Sequence, residues 1–476
     1  MGRYMPEMTK TNNVDTPPGS GEISAIENAL RQAPHLSKPV PRYTSFPTAP
    51  HFHAGVDATL YEKWLQAVPR NEGISVYIHI PFCDRLCWFC GCHTKMIQRY
   101  DPIPVYLKSL EREIELVRER LGFAPRISQL HLGGGSPSLL RGDDLLRLRE
   151  TLETHFRMDA ETQISMEIDP SDMTGVEFAD LKAFGITRAS IGVQDFDEKV
   201  QKAINRPQTF EHTAHAVNEL RRIGVRSVNI DALYGLPFQT LETIETGMHL
   251  VTSLKPDRVA LFGYAHVPWV KTHQKMIPQD SLPGPEERLK QAQTAAALLQ
   301  ADGYLQIGID HFARPDDGLS LASTTGRLRR NFQGYTDDPC STLIGLGASS
   351  IGRLPTGYVQ NHTPTAHYMR EISEGRLPIA RGVSFTEQDR LDSDIIEDLM
   401  CRFETDISSL RKVHGDLAND LLDRMQTIVS ADRDNLVQFD GNRLTIPPSS
   451  RPFTRTVASW FDTRLMDNKA QYSIAV

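Results

Sequence analysis

Seven short apolar runs, about 20 to 50 residues apart with helix-like stretches between them, do most to limit how this chain can fold. They are ISVYIHI (74–80), ISQLHL (127–132), ISMEID (164–169), RASIGVQ (188–194), RSVNIDALYG (226–235), DRVALFGY (257–264) and YLQIGIDHF (304–312). Between them, VYLKSLEREIELVRERL (105–121) and EERLKQAQTAAALLQADG (286–303) repeat apolar residues at helical spacing. A helix joining two strands is a crossover, which makes the strands parallel and covers them with helices. Six or seven such units predict an α/β fold, an incomplete TIM-like barrel of parallel strands. Each run also carries polar chemistry at its far end. A four-cysteine loop follows the first and GGGSPS (133–138) the second; Glu167 and Asp169 close the third, Gln194 the fourth, Asp231 the fifth, and Tyr264 with Ala265 the sixth. In such a barrel the C-terminal strand ends share one rim, where active sites are built, so these groups are expected to meet. A charge in an apolar strand is costly to bury unless something pairs with it, which favours the same reading.

The rest of the chain divides around this unit. Residues 1–40 are polar and rich in Pro, Gly, Ser and Thr, and read as a mobile leader. Residues 41–383 form the barrel, with PRYTSFPTAP (41–50) laid on its surface and an extension after the last strand. Residues 384–476 change pattern and predict a small, mainly helical, winged-helix-like lid. There Thr386 is a helix N-cap, Asp440-Gly441 turns a hairpin within 436–446, and 451–465 close as an amphipathic helix. Net charge is −8, with no clustered basic face, which excludes an extended nucleic-acid surface. No run approaches the ~18 apolar residues of a membrane span, and the N-terminal stretch lacks a signal-like core. A cytoplasmic protein is expected.

The stretch HIPFCDRLCWFCGCHTK (79–95) holds Cys83, Cys87, Cys90 and Cys92, four of the six cysteines. Cytoplasmic thiols stay reduced, which favours metal ligands or redox groups over structural disulfides. Structural zinc usually takes two separated ligand pairs, whereas these four lie on one loop with no partner pair elsewhere. Cys340 and Cys401, solitary, read as small buried hydrophobes, and His79 and His131 as satisfied core histidines. Taken alone, GGGSPS is often just a turn, Asp231 fits a salt-bridged core carboxylate, and Arg314 fits a surface partner of Asp316 or Asp317.

The spacing Cys83-x3-Cys87-x2-Cys90, with the aromatic Trp88 after the second cysteine, resembles the cluster loop of the radical S-adenosylmethionine (radical SAM) superfamily. That resemblance implies that Cys83, Cys87 and Cys90 hold a 4Fe-4S cluster with one open iron, and that Cys92 is not a ligand. S-adenosylmethionine on that iron would be cleaved reductively to methionine and a 5'-deoxyadenosyl radical. Further motifs occur in order: PRYTSFPTA, LHLGGGSPS, MEIDP, GVQDF, INRPQ, NIDALYGLPFQT, GYAHVP, DHFARPDD, RNFQGYT and IGLGASSI. Together they resemble the oxygen-independent coproporphyrinogen III oxidases, from about residue 40 to the C-terminus.

Carried over residue by residue, the family implies that Tyr77, Phe89, Gly134, Glu167 and Ile351 contact a first S-adenosylmethionine. Glu167 would take the ribose hydroxyls and the Gly133-Gly134-Gly135 backbone the methionine amino group. A second S-adenosylmethionine would lie on Gly135, Ser136, Gln194, Arg206, Asp231 and Ala265, with Arg206 suited to a carboxylate. Substrate candidates are Arg42, Tyr43, Cys92, Arg314, Arg330 and Gln333, because coproporphyrinogen III carries four carboxylates. The implied reaction is oxidative decarboxylation of two propionates to vinyl groups, giving protoporphyrinogen IX for tetrapyrrole or heme biosynthesis. Implied partners are a reduced flavodoxin- or ferredoxin-type donor and an electron acceptor; the chain is expected to be a monomer. Trp88, Ser136, Ser138 and Phe46 depart from residues common in the family but keep aromatic or hydroxyl character. Two alternatives stand beside this reading, a heme chaperone of the same superfamily and a zinc-stabilised scaffold.

Overall fold

The computed structural model describes residues 39–173 and 175–465; the expected leader lies almost wholly outside them. Six parallel strands run side by side in chain order. They are β1 (Ile74–Ile80), β2 (Ile127–Gly134), β3 (Gln163–Ile168), β4 (Arg188–Gln194), β5 (Ser227–Tyr234) and β6 (Arg258–Gly263). Side chains alternate across each strand. Ile74, Val76, Ile78 and Ile80 of β1, with Ile164, Met166 and Ile168 of β3, sink into the main hydrophobic core. That core is completed by helices α1 (Ala58–Gln66), α2 (Pro102–Leu121) and α3 (Gly142–His155) among others. The opposite, inner face is polar. Register sets Tyr77 beside His131 and His131 beside Ser165, then Glu167 beside Ser190 and Ser190 beside Asn229.

The run 304–312 is not a seventh parallel strand. It splits into β7 (Leu305–Ile307) and β8 (His311–Ala313), a hairpin antiparallel to β6. Three residues separate the two strands, far fewer than a parallel crossover needs. Gly308 turns the chain at φ +58, where a Cβ would strike the Tyr335 ring. The sheet instead extends past β1 through β9 (Leu343–Leu346), parallel to it, and then antiparallel β10 (Ile351–Leu354), β11 (Gly357–Asn361) and β12 (Ile379–Ser384). The first and last of the twelve strands in sheet order do not pair with each other, so the barrel is incomplete as expected. A hairpin, Arg329–Asn331 with Gly334–Thr336, bridges between aromatic contacts on two strands. Tyr335 packs edge-on against His311 of β8 at 5.2 Å, and Phe332 against Tyr358 of β11 at 5.4 Å.

Behind this hairpin lies α4 (Glu387–Arg402), opened by the expected Thr386 cap as a reciprocal box with Asp389. It packs into a second core, with Leu410, Leu421, Leu444 and Phe461, that also takes in Tyr43 and Phe46. The hairpin Gln438–Phe439 with Arg443–Thr445 forms as read. The closing amphipathic helix is shorter than read: α-helix spans only Thr454–Ser459, after a 3-10 stretch, Pro448–Phe453, that contains Pro452. Proline lacks the N–H that a longer α-helix would use there.

One buried carboxylate ties α2 to the sheet's extension. Glu113 accepts hydrogen bonds from Gly347 N (2.7 Å), Asn361 Nδ2 (2.6 Å) and Tyr368 Oη (2.7 Å). Burial pushes its carboxyl up to about 7 despite those donors. Glu113→Ala would strand three buried donors and is expected to cost about 3–5 kcal/mol, read by denaturant unfolding.

Candidate functional site

The cysteine loop leaves the C-terminal end of β1 and is gripped from two sides. On one side Trp88 N donates to Ile204 O (2.9 Å) and Asn205 Nδ2 to Leu86 O (2.8 Å). On the other, His273 Nε2 meets Cys90 O (2.8 Å), Gln274 Nε2 donates to Phe89 O (3.0 Å) and Lys271 Nζ to Cys92 O (2.9 Å). Gln274 also donates to Ala265 O (3.2 Å), which places Ala265 beside the loop. Asn205 holds a left-handed backbone at φ +54, a conformation asparagine tolerates better than most residues. Sequence reading missed Asn205, Lys271, His273 and Gln274. INRPQ contained the first, but nothing at 271–274 marks residues whose role is set by tertiary placement.

Loop and strand ends line a cleft whose empty space, adjoining solvent included, is about 880 Å³. Cys83, Cys87, Phe89, Cys90 and Cys92 line it from the loop, and Gly134, Gly135, Ser136, Glu167, Gln194, Arg206 and Asp231 from the rim. Twelve expected residues thus share one cavity. Close approach dictates glycine at 135, where a Cβ would meet Phe82 O at 2.4 Å. Gly134, at φ +114, donates its N–H to Glu167 Oε2 (2.9 Å). Gln194 has φ +70 at a register shift between β4 and β5, a strained backbone of the kind that collects at functional sites.

Charges in the cleft are arranged in pairs. Arg206 donates to Gly192 O (2.8 Å), pairs with Asp169 (3.0 Å) and reaches Cys87 Sγ (3.5 Å). It is therefore already engaged, with its buried Nε the atom that has no hydrogen-bond partner. Asp169 also caps the turn after β3 through Ser171 N (3.1 Å). Burial raises the Glu167 carboxyl, but hydrogen bonding and charge from His131, then the Gly134 N–H, outweigh it and hold it below its ordinary value. His131, read as a core histidine, is thus part of the site wall. Its other nitrogen meets Ser165 Oγ at 2.6 Å.

The thiols differ. Burial pushes Cys83 up to about 12, with repulsion from Cys90 adding to it, and raises Cys87 although Arg206 pulls the other way. Cys90 is lowered to about 7, chiefly by a side-chain hydrogen bond from Cys92, whose N–H also approaches Cys90 Sγ (3.4 Å). Cys92 therefore acts as a donor to Cys90. Of the solitary pair, Cys401 is buried as read, and Cys340 only partly.

The remaining expected residues lie around the cleft or away from it. Tyr77, three residues before the end of β1, stacks on His131 at 5.7 Å and shares a hydrogen bond with His79 Nδ1 (3.0 Å). Ile351 packs with Phe332 in a small cluster that includes Tyr358. Arg42 donates to Gly263 O (2.9 Å) at the end of β6, and Tyr43 Oη to Asp462 (2.9 Å). Arg330 is buried over the Tyr335 ring, with Asp310 at 3.5 Å, and Gln333 is exposed at the tip of the bridging hairpin. Arg314 does not join the site. Its N–H bonds Asp257 O at the N-terminal end of β6, and its guanidinium pairs with Asp302 (3.1 Å) across the Tyr304 ring.

Among the described residues no three His, Cys, Asp or Glu side chains converge on a single ion. Thiols spread along a cleft of this size, beside a glycine run that only glycine can form, suit a polynuclear cluster with room for a ligand next to it. Comparison with known proteins points the same way. The Radical SAM superfamily pattern matches residues 77–251. An oxygen-independent coproporphyrinogen III oxidase from Paracoccus denitrificans is 46% identical over 89% of this chain and 94% of its own length. The corresponding oxidase of Escherichia coli K12 is 38% identical over 89% of this chain and 93% of its own. The solved structure of coproporphyrinogen III oxidase from Escherichia coli, described as a radical SAM enzyme, superposes with TM-score 0.85 at 36% identity, covering 89% of this chain and 98% of that one.

Burial, then repulsion from Glu167, raises the Asp231 carboxyl from 3.8 to about 6 against donors Ser190 and Asn229. A raised value means the group's stabilising contribution is full below about pH 4 and lost as pH rises through about 6. Asp231→Asn is therefore expected to gain thermal stability relative to the parent between pH 4.5 and 8. A melting difference that does not change with pH would contradict this.

Proposed function

Because the chain belongs to the oxygen-independent coproporphyrinogen III oxidases, within the radical SAM superfamily, we propose that it oxidatively decarboxylates two propionates of coproporphyrinogen III to vinyl groups, giving protoporphyrinogen IX. The observation that carries this reading is identity with named oxidases along nearly the whole of both chains. For each propionate, a hydrogen atom leaves the ring-attached carbon, which is beta to the carboxylate; one electron goes to an acceptor, and carbon dioxide departs as the vinyl double bond forms. A 4Fe-4S cluster with S-adenosylmethionine, when bound, supplies the radical that abstracts the hydrogen.

The protein's own residues have four tasks. Cys83, Cys87 and Cys90 hold the cluster, and Cys92 stands apart as a hydrogen-bond donor to Cys90. Tyr77, Phe89, Gly134, Glu167 and Ile351 seat the first S-adenosylmethionine, with Glu167 kept ionised to accept from hydroxyl groups. Gly135, Ser136, Gln194, Asp231 and Ala265 seat the second, and Arg206 acts through the Asp169 pair and the Cys87 sulfur. Arg42, Tyr43, Arg330 and Gln333, between barrel and helical region, meet the substrate carboxylates, excluding water from the reacting carbon.

The heme-chaperone alternative is not favoured, since the full-length relatives are oxidases. No helix among the described residues is long and apolar enough to cross a membrane, and we place the protein in the cytoplasm as a monomer. Its electron donor is a reduced flavodoxin- or ferredoxin-type protein.

Anaerobic incubation of the reconstituted protein with S-adenosylmethionine, a reductant and coproporphyrinogen III should yield carbon dioxide and, after oxidation, protoporphyrin fluorescence. Heme binding without either product would remove the oxidase reading. Cys83→Ser, Cys87→Ser and Cys90→Ser should each lose the visible iron–sulfur absorbance and turnover, while Cys92→Ser should keep its iron on elemental analysis.

A further inference from the structure

The segment that grips the cysteine loop also presents an unusual outer surface. Trp269 is 51% exposed, Val270 63% and Met276 58%, and across the loop Met96 is 52% exposed. These four are over a third of the eleven exposed large apolar residues among the described residues, drawn from two short segments. Neither 91–100 nor 264–279 contains Asp or Glu, yet together they carry Lys95, Arg99, Lys271 and Lys275, on a chain of net charge −8. The two segments meet at the loop, through Lys271 on Cys92 O (2.9 Å) and His273 on Cys90 O (2.8 Å). Large apolar side chains left more than half exposed suit another protein's face better than a small molecule. Cationic side chains on the same segments as exposed apolar ones select an acidic partner and speed its approach.

Resting on the reading of Cys83, Cys87 and Cys90 as cluster ligands, we propose that Trp269, Val270 and Met276, with Met96 and the lysines Lys95 and Lys275, form the docking surface for a small acidic one-electron carrier protein. One electron passes from the reduced carrier to the cluster. The carrier is oxidised by one electron and the cluster reduced by one, and no bond is made or broken. Docking here puts the carrier on segments that hydrogen-bond the backbone of Cys90 and Cys92.

The test uses the full-length cluster-loaded protein and two double variants, Trp269→Ser with Val270→Ser and Lys95→Glu with Lys275→Glu. Calorimetry measures binding of a flavodoxin, and stopped-flow bleaching measures cluster reduction by reduced flavodoxin and, separately, by dithionite. Expected are flavodoxin affinity and reduction rate lower by about tenfold or more in both variants, unchanged iron content and dithionite reduction, and parent affinity that falls as salt is added. Unchanged flavodoxin binding in both variants, or a loss shared with dithionite, overturns the proposal. A parent protein that the flavodoxin reduces through this surface, but that leaves coproporphyrinogen III intact, supports the docking surface while refuting the substrate assignment.

Discussion

Strict alternation along six parallel strands is the constraint on which the rest depends. Every second residue must face the helices, and there Val, Ile, Leu and Met build the core. The others must then face inward. In a closed barrel that interior is usually filled by branched apolar side chains. Here it carries Tyr77, stacked on His131, and His131, Ser165, Glu167, Ser190, Asn229 and Asp231, linked by hydrogen bonds that mostly cross between adjacent strands. The lumen is thus polar where a closed barrel's is apolar, and at the rim it opens as the cleft.

Much of this was legible because periodicity and strand-end chemistry are local signals. The six parallel strands, the glycine run, the rim carboxylates and the cysteine loop are each visible within about ten residues of chain. What escaped depended on distant partners. YLQIGIDHF has the composition of a buried strand, yet it turns at Gly308, whose left-handed backbone lies close against the distant Tyr335. Arg314 looked like a substrate cation until its neighbours, Asp302 and Tyr304, placed it at the opposite end of β6. Arg206 matched a carboxylate-binding residue by motif, whereas its pairing with Asp169 and Cys87 follows from two loops meeting. The grip from Lys271, His273 and Gln274 left no sequence trace, since it uses backbone carbonyls as acceptors.

The open side of the barrel has its own logic. β7 ends the sheet on one side and β12, bridged only at Gly382 by His53, on the other, and unpaired edges are a liability. The hairpin 329–336 bridges from His311 of β8 to Tyr358 of β11 with Tyr335 and Phe332, while Tyr335 Oη donates to Met400 O (2.6 Å) of α4 behind it. The helical region is thereby fastened to the barrel at its missing wall. Tyr43 and Phe46, from the N-terminal side of the barrel, pack into that region's core as well. The residues assigned to the substrate thus sit where three distant parts of the chain meet.

The grip on the cysteine loop bears on the order in which the protein is assembled. Small zinc modules are unfolded until metal arrives, because their ligands have nothing else to hold them. This loop's path is set by bonds from Asn205, Lys271, His273 and Gln274 and by the turn of Gly135 against Phe82. The loop's shape is thus held by the protein's own bonds and does not depend on metal alone, as a small zinc module's does.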